Sequence, residues 1–317
     1  MRVSVVVPLY NKAETVLRAL HSIAGQSFSD FEAIVVDDGS TDGGLELVAR
    51  FPDPRFRVVS QANAGPGAAR NRGLAEARGD LAAFLDADDA WMPGYLENSV
   101  RLLDASGQAV ASVTSGYVEF PGGASSQALW RRRGLAEGVH RVTASTPVGT
   151  LVSMLAYMSP CSTVARLEVV RRWGGFYEKD SCRYGEDAFL WLKVLLNESV
   201  CFEMRPVAEF HREASSLSAN YRRARPIEPF LLDPDAAAAA CPPALLPLLR
   251  RFYAARASKT AAVLGCFGDW RSARRLFGRF VKLGDWRLPY FLPGLAGCTP
   301  LAQFVGRPLV RRKASGQ

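Results

Sequence analysis

Three short apolar runs constrain the fold more than anything else in the chain. Val3-Ser-Val-Val-Val7, Phe31-Glu-Ala-Ile-Val-Val36 and Leu81-Ala-Ala-Phe-Leu85 each end on a proline or an acidic cluster, and stretches of helical spacing separate them. Val16, Leu17, Leu20 and Ile23 mark a first helix within 13–24. Helices are also expected over about 43–50 and 66–77, with a short strand over 56–59 between them. Strands that alternate with helices build a mostly parallel sheet flanked by helices, so the expected class is α/β. In such sheets a ligand sits where loops leave the carboxyl ends of the strands.

The polar residues fall at those ends. Pro8-Leu-Tyr-Asn11 follows the first run, Asp37-Asp38 the second, and Asp86-Ala-Asp-Asp89 the run at 81–85. Any one of these could be a turn or a helix cap. Together they bring at least five carboxylates toward one crevice, where they repel and raise one another's pKa unless a cation offsets them. Hard carboxylate oxygens suit Mg2+ or Mn2+ held together with substrate phosphates.

Four segments then occur in one register: Val5-Val-Val-Pro-Leu-Tyr-Asn11, Val35-Val-Asp-Asp-Gly-Ser-Thr-Asp42, Asn63-Ala-Gly65 with Ala69-Arg-Asn-Arg-Gly73, and Phe84-Leu-Asp-Ala-Asp-Asp89. In order and spacing the chain resembles the family 2 glycosyltransferases, closely over about residues 1–105 and more loosely to about 220. The resemblance implies a GT-A fold, a nucleotide-sugar donor (a UDP-sugar), a divalent metal at an Asp-x-Asp motif, and transfer with inversion at the anomeric carbon. It also implies an acceptor that is a glycan or a lipid-linked saccharide of bacterial surface polysaccharide. Asp38 would accept the base N–H of a uracil, Pro8 and Tyr10 would line the nucleoside, and Asn63 and Arg70 would border it. Asp86-Ala87-Asp88 would meet ribose and metal, with Asp88 as the direct ligand and Asp86 shared. Glu186-Asp187, within Tyr184-Gly-Glu-Asp-Ala-Phe-Leu-Trp191, matches the family's Glu-Asp signature at a helix start. Asp187 is the expected general base and Glu186 the neighbour that orients or replaces it. Without the upstream motifs, two acids at a helix start would be read as serving the helix dipole alone.

The pattern is imperfect after the last core strand. In Glu209-Phe-His-Arg-Glu-Ala-Ser-Ser-Leu-Ser218, alignment on Ser216 and Ser218 puts Glu213 where the family carries a histidine, leaving His211 as the candidate metal or diphosphate ligand. Residues 106–183 are expected to form the acceptor side. Val142–Ala165, 24 residues without a charge, reads as a buried strand and loop, and Trp130 with Arg131–Arg133 either as a glycine-rich loop able to close over the donor or touch an anionic acceptor, or equally as an exposed charged loop.

Charge separates the chain into two parts. The net charge of +8 hides a region, 250–317, with 14 Lys+Arg against Asp269 and Asp285, a net of +12. The remaining 25 basic and 29 acidic residues give −4. The expected organisation is a catalytic domain over 1–225, with a nucleotide half to 105 and an acceptor half after it, and a basic helical region over 226–317. Helices are expected over 245–264 and 270–283, and Gly-Asp-Trp-Arg recurs at 268–271 and 284–287. The basic tail has no nucleic-acid motif, so its partners narrow to an anionic membrane surface or packing on protein, a second subunit included. Six scattered cysteines without a CxxC pair indicate neither zinc nor a disulfide framework. The N-terminal apolar run is too short for a signal peptide or a span, so the expected location is the cytoplasm, peripheral to the inner face of the plasma membrane. Two other functions fit such a chain. A nucleotidyltransferase would need a glycine-rich basic loop after the first strand, which Pro8-Leu-Tyr-Asn11 is not. A non-catalytic nucleotide-sugar-binding regulator would not need the acids at 86, 88, 186 and 187.

Overall fold

The structure is a computed structural model that describes residues 1–211, 225–282, 285 and 287–304. The expectations placed on Arg212, Glu213, Ser216, Ser218, on Gly284 and Trp286 of the second Gly-Asp-Trp-Arg, and on the basic end after Phe304 lie outside the described residues. The chain divides into two units, one of residues 1–142 and 153–215, the other of 143–152 and 216–317.

One sheet organises the first unit. Its strands are β1 (Val3–Leu9), β2 (Phe31–Asp37), β3 (Phe56–Ser60), β4 (Leu81–Phe84), β5 (Ala90–Trp91), β6 (Ser112–Phe120), β7 (Ala124–Ser125), β8 (Gly138–Arg141), β9 (Thr163–Arg166) and β10 (Ser199–His211). The order is β3-β2-β1-β4-β9-β6-β10-β5, with β7 on β6 and β8 on β10. The first four in that order pair in parallel, as the alternating pattern predicts, and β6 and β10 form a second parallel pair. Between them β9 runs antiparallel to both β4 and β6. Pro206 has no N–H for the ladder, and the β6–β10 register shifts on either side of it.

The helices of this unit are α1 (Val16–Ala24), α2 (Gly44–Ala49), α3 (Pro66–Glu76), α4 (Tyr95–Ala105), α5 (Ser126–Arg132), α7 (Leu167–Arg172) and α8 (Glu186–Asn197), while α6 (Val148–Tyr157) spans the boundary of the units. α1 buries Val16, Leu20 and Ile23 of the expected stripe together with Ala19, while Leu17, also read as part of it, is exposed. α3 lies close on β1 because residue 73 is glycine: a Cβ there would stand 2.3 Å from Val6 Cγ1. Asn71, in the same helix, donates to Phe176 O at 2.8 Å and accepts from Phe176 N at 2.8 Å, which ties the helix to the loop before α8.

Two expectations fail here. Trp130–Arg133 is not a loop over the donor: Ser125 caps α5, and Trp130 is fully buried, 4.6 Å from the Tyr157 ring and 5.8 Å from that of Phe202. The indole drives that segment inward as core. The uncharged stretch 142–165 is helix first and strand second. Pro147 O accepts the Leu151 N–H at 3.2 Å to open α6, and β9 follows after Pro160. Lack of charge marks burial but carries no period, so it did not distinguish the two.

The second unit holds α9 (Pro229–Leu232), α10 (Pro234–Ala239), α11 (Leu246–Cys266), α12 (Trp270–Phe280) and α13 (Phe291–Gly297). α11 and α13 meet through small residues. A Cβ on Gly265 would lie 2.3 Å from Gly297 O, and one on Gly297 would lie 2.4 Å from Ala261 O. The buried Glu228 carboxylate receives Arg256 and, at 3.0 Å, the Thr260 hydroxyl. Among the described residues no helix is long and apolar enough to cross a membrane.

Candidate active site

The loops after β1 and β2 lace into one another. Asn11, at φ +50° in the left-handed region that asparagine tolerates, accepts the Thr41 N–H at 2.8 Å, while its own N–H reaches Ser40 Oγ at 3.1 Å. Asp42 accepts from Ala13 N at 2.8 Å and Gly44 N at 3.0 Å. Pro8 is half-buried at the end of β1, and Tyr10, directly after the strand, is 44% exposed.

Asp38 is buried and anchors the following loop. Its carboxylate accepts from Gln61 Nε2 at 2.8 Å, Ala64 N at 2.9 Å and Gly65 N at 2.9 Å. A carboxylate has about four acceptor directions, so about one is left for a ligand. Asn63 donates to Asp38 O at 2.9 Å and accepts from Arg183 at 3.0 Å, placing it beside the loop that leads into α8. Gly65 has φ +94°, and a Cβ there would lie 3.0 Å from Cys182 O, so the two loops touch through backbone.

Arg70 joins the motif at the end of β4 to the motif that opens α8. Its guanidinium, buried on α3, donates to Asp86 Oδ1 at 2.6 Å and to Glu186 Oε1 at 2.8 Å, with the Phe176 ring 5.2 Å away. Burial works against its charge, and Asp86 and Glu186 more than offset that, raising its pKa above the ordinary value. The sequence placed Arg70 at the nucleoside border; in the structure its guanidinium pairs with the two carboxylates. Glu186 is thereby fixed, whereas Asp187 beside it is pushed up to about 7 by burial and by the Glu186 charge, with Arg70 opposing.

The acidic loop after β4 carries three carboxylates. Asp88 pairs with Lys12 Nζ at 2.7 Å, and burial and the Asp86 charge raise its pKa against that partner. Asp89 accepts the His211 N–H at 2.9 Å and is pushed up to about 8 by burial and by the charges of Asp86 and Asp88. Ala87 is buried, its carbonyl accepting Thr15 Oγ1 at 2.9 Å. Such mutual repulsion between hard oxygen donors is what a divalent cation relieves, so Asp86, Asp88 and Asp89 fit Mg2+ or Mn2+. Among the described residues, the set whose ligating atoms lie within 4.8 Å of one another is Asp86, Asp89 and Cys161. Burial, then the Asp86 and Asp89 charges, push the Cys161 thiol well up, so it stays protonated and is no ligand for a hard cation. The ring of His211 stacks on Phe120 at 5.1 Å with Nε2 3.5 Å from Glu209, so it joins the acidic loop through its backbone rather than through that set. Sequence reasoning missed Lys12, although it directly follows Pro8–Asn11, and Cys161, which no motif marks. Replacing Arg70 with methionine leaves Glu186 buried without its cation. Chemical denaturation of Arg70→Met is expected to show a loss of roughly 3 kcal/mol; a loss under about 0.5 kcal/mol, the range of neutral surface changes, would mean the bridge organises nothing.

Comparison with known proteins places this geometry. The profile of glycosyl transferase family 2 matches residues 4–157. The succinoglycan biosynthesis protein ExoO of Rhizobium meliloti is 44% identical over 110 residues, which is 34% of this chain and 32% of that protein. The glycosyltransferase GlyA of Streptococcus pneumoniae is 28% identical over 228 residues, 68% of this chain and 31% of that one. The chain thus spans about a third of the length of the curated relatives it matches. Among solved structures, S. aureus TarS 1-349 superposes with a TM-score of 0.64 at 19% identity over 100% of this chain and 92% of that one, and it has been solved with UDP and with UDP-GlcNAc. The mannosyltransferase PcManGT of Pyrobaculum calidifontis, solved with GDP-Man and Mn2+, gives 0.56 at 20% identity over 99% and 86%. With the motifs at the carboxyl ends of β1, β2 and β4 in register, residues 4–157 match glycosyl transferase family 2, and the chain has the GT-A fold of these solved glycosyltransferases.

Proposed function

We propose that the chain is a metal-dependent inverting glycosyltransferase that moves a sugar from a UDP-sugar to a hydroxyl of a glycan or lipid-linked saccharide in cell-surface polysaccharide biosynthesis. The observation that carries this reading is the Arg70 bridge, which holds the expected metal loop and the expected base at one place. The family 2 match over residues 4–157, the polysaccharide role in the name of ExoO and the uridine nucleotides bound by TarS support it. In this reading residues 1–225 form the catalytic region. Pro8, Tyr10 and the Asp38-anchored loop through Asn63 line the nucleoside, with the spare acceptor direction of Asp38 turned to the uracil N–H. Asp86 and Asp88 would hold a divalent cation, with Asp89 behind them and His211 nearby; when bound, it screens the charge that builds on the departing diphosphate. Arg70 is a positioning residue for Asp86 and Glu186.

Asp187 takes the proton of the acceptor hydroxyl as its oxygen attacks the anomeric carbon and the bond to the nucleotide diphosphate breaks. Its burial, which lifts the pKa to about 7, makes it a stronger base than a solvated carboxylate. The sign follows: the ionised form is the active one, so transfer is expected to rise as pH climbs through about 7. Asp187→Asn is expected to lower kcat by about 10²–10⁴-fold with donor affinity within a few-fold of the original. Near-normal turnover in that variant, or a rate that falls with pH through this range, would sink the assignment.

For the basic helical region, 226–317, we propose contact with an anionic membrane surface at the cytoplasmic face. The support is α13: its inward residues Phe291, Gly294 and Gly297 are buried, while outward Leu292 is 71% exposed, with Leu295, Leu301 and Phe304 also exposed in a stretch, 288–304, that has no charge. Lys259, 5.8 Å from the Tyr290 ring, and the exposed arginines of α12 add positive charge to the same unit. Interfacial surfaces combine these two features. A second copy would bring like charge to the same face. Vesicle flotation is expected to capture the full chain on phosphatidylglycerol-containing vesicles and to lose most of it when Leu292 and Leu301 become Asp; equal flotation of both proteins, or none of either, would remove the proposal.

A further inference from the structure

The main chain of the acidic loop after β4 is held by one face of α1. Thr15, at the N-cap, Arg18 and Ser22 recur at i, i+3 and i+7, so they line one side of the helix beside its apolar stripe. Thr15 Oγ1 donates to Ala87 O at 2.9 Å, Arg18 Nη2 donates to Asp88 O at 2.5 Å, and Ser22 Oγ accepts the Trp91 N–H at 3.1 Å. Gln26, just past the helix, continues the line. Its buried amide donates to Met92 O at 2.9 Å and accepts the Leu96 N–H at 3.1 Å. One polar edge of one helical segment thus grips the backbone from Ala87 to Leu96.

The grip is tightest at the Asp-x-Asp motif. Asp86 O accepts the Asp89 N–H at 3.0 Å, Ala87 O has Thr15, Asp88 O has Arg18, and the Asp86 N–H reaches Cys161 Sγ at 3.4 Å. With these main-chain groups engaged, what the loop offers a ligand is its carboxylates. Three like charges in one short loop repel one another, and a free loop would relieve that repulsion by turning them apart. Here such a turn would first have to break the bonds from α1 and leave two carbonyls without their donors. The rest of the same edge does other work, since Ser22 and Gln26 bind β5 and the backbone at the start of α4.

We propose that Thr15 and Arg18 are positioning residues for the metal site, which through Ala87 O and Asp88 O keep the Asp86 and Asp88 carboxylates gathered for a divalent cation. The inference rests on the assignment of those two acids to the cation made above. Groups that hold a metal ligand from behind are worth about 10–100-fold in metal affinity. Thr15 and Arg18 act one step further back, through the main chain, so each is expected at the low end of that range. Ser22 and Gln26 contribute to stability and not to the metal. Arg18 acts through its N–H: loss of its charge alone would favour a cation at Asp88, whereas loss of its hydrogen bond loosens the loop. The two effects have opposite signs, and binding reads which one governs.

The test measures Mn2+ binding to the full chain, without nucleotide or acceptor, by the electron paramagnetic resonance signal of the free ion, with chemical denaturation of each variant alongside. Thr15→Val keeps the shape of the side chain and removes its hydroxyl, and Arg18→Met removes the guanidinium; both are expected to bind Mn2+ about tenfold more weakly than the unaltered chain. Thr15→Ser and Arg18→Lys, which restore a donor, are expected within about twofold of it. Gln26→Leu is expected to lower the denaturation midpoint at least as far as Thr15→Val does and yet to bind Mn2+ as the unaltered chain does, while Asp88→Asn binds it poorly. If Thr15→Val and Arg18→Met bind Mn2+ as well as the unaltered chain, or more tightly, while Asp88→Asn loses it, the positioning role is overturned and the metal assignment stands. Weakening by Gln26→Leu to the same extent as by those two would also overturn the role, because α1 would then act through stability alone. If Asp88→Asn binds Mn2+ as the unaltered chain does, the metal assignment fails at Asp88 and this inference fails with it.

Discussion

A guanidinium buried between two carboxylates is the constraint on which the site depends. Arg70 reaches Asp86 at the end of β4 and Glu186 at the start of α8, residues 100 positions apart in the chain. Burying an arginine this completely is tolerable only with both partners in place, since an uncompensated buried charge costs several kcal/mol, ~3–5 by analogy with broken buried pairs. The bridge therefore fixes the relative position of two loops that have no sheet hydrogen bonds to do so. Gly65, Gly67 and Gly73 make it possible, because a side chain at each would meet the α8 approach loop or β1 before Arg70 could reach across.

The same bridge gives two neighbouring carboxylates different surroundings. Glu186 is tied to a cation, whereas burial and the charge next door push Asp187 up to about 7, which suits the base proposed above. In the loop after β4, Asp86 has Arg70 and Asp88 has Lys12, while Asp89, behind them, has backbone from His211 and is raised to about 8. Among the described residues the loop gathers three carboxylates beside these two cations, the imbalance on which the proposed metal and diphosphate site rests.

Much of this was legible in the sequence because short-range rules governed it. The runs at 3–7, 31–36 and 81–85 became parallel strands, the stripe of α1 faced inward apart from Leu17, and the acids fell at strand ends where topology gathers loops. The errors came where charge was absent or local. The uncharged stretch 142–165 held both a helix and the antiparallel β9, and Trp130 proved to be core rather than a loop over the donor. Partners across long separations were not legible. Lys12 with Asp88, Arg70 with Glu186 and the thiol of Cys161 beside Asp86 and Asp89 depend on how three elements pack, which no window of sequence contains.

The most direct measurement is a thermal-unfolding screen of nucleotide sugars with Mn2+, Mg2+ or a chelator present. A ligand that binds only the folded chain raises the melting temperature by mass action. A UDP-sugar is expected to stabilise the protein with Mn2+ or Mg2+ and to lose that effect with chelator or in Asp38→Ala. Absence of a shift from every nucleotide sugar in the presence of either metal, or a shift of equal size with chelator, would contradict a metal-dependent nucleotide-sugar site built on Asp38, Asp86 and Asp88.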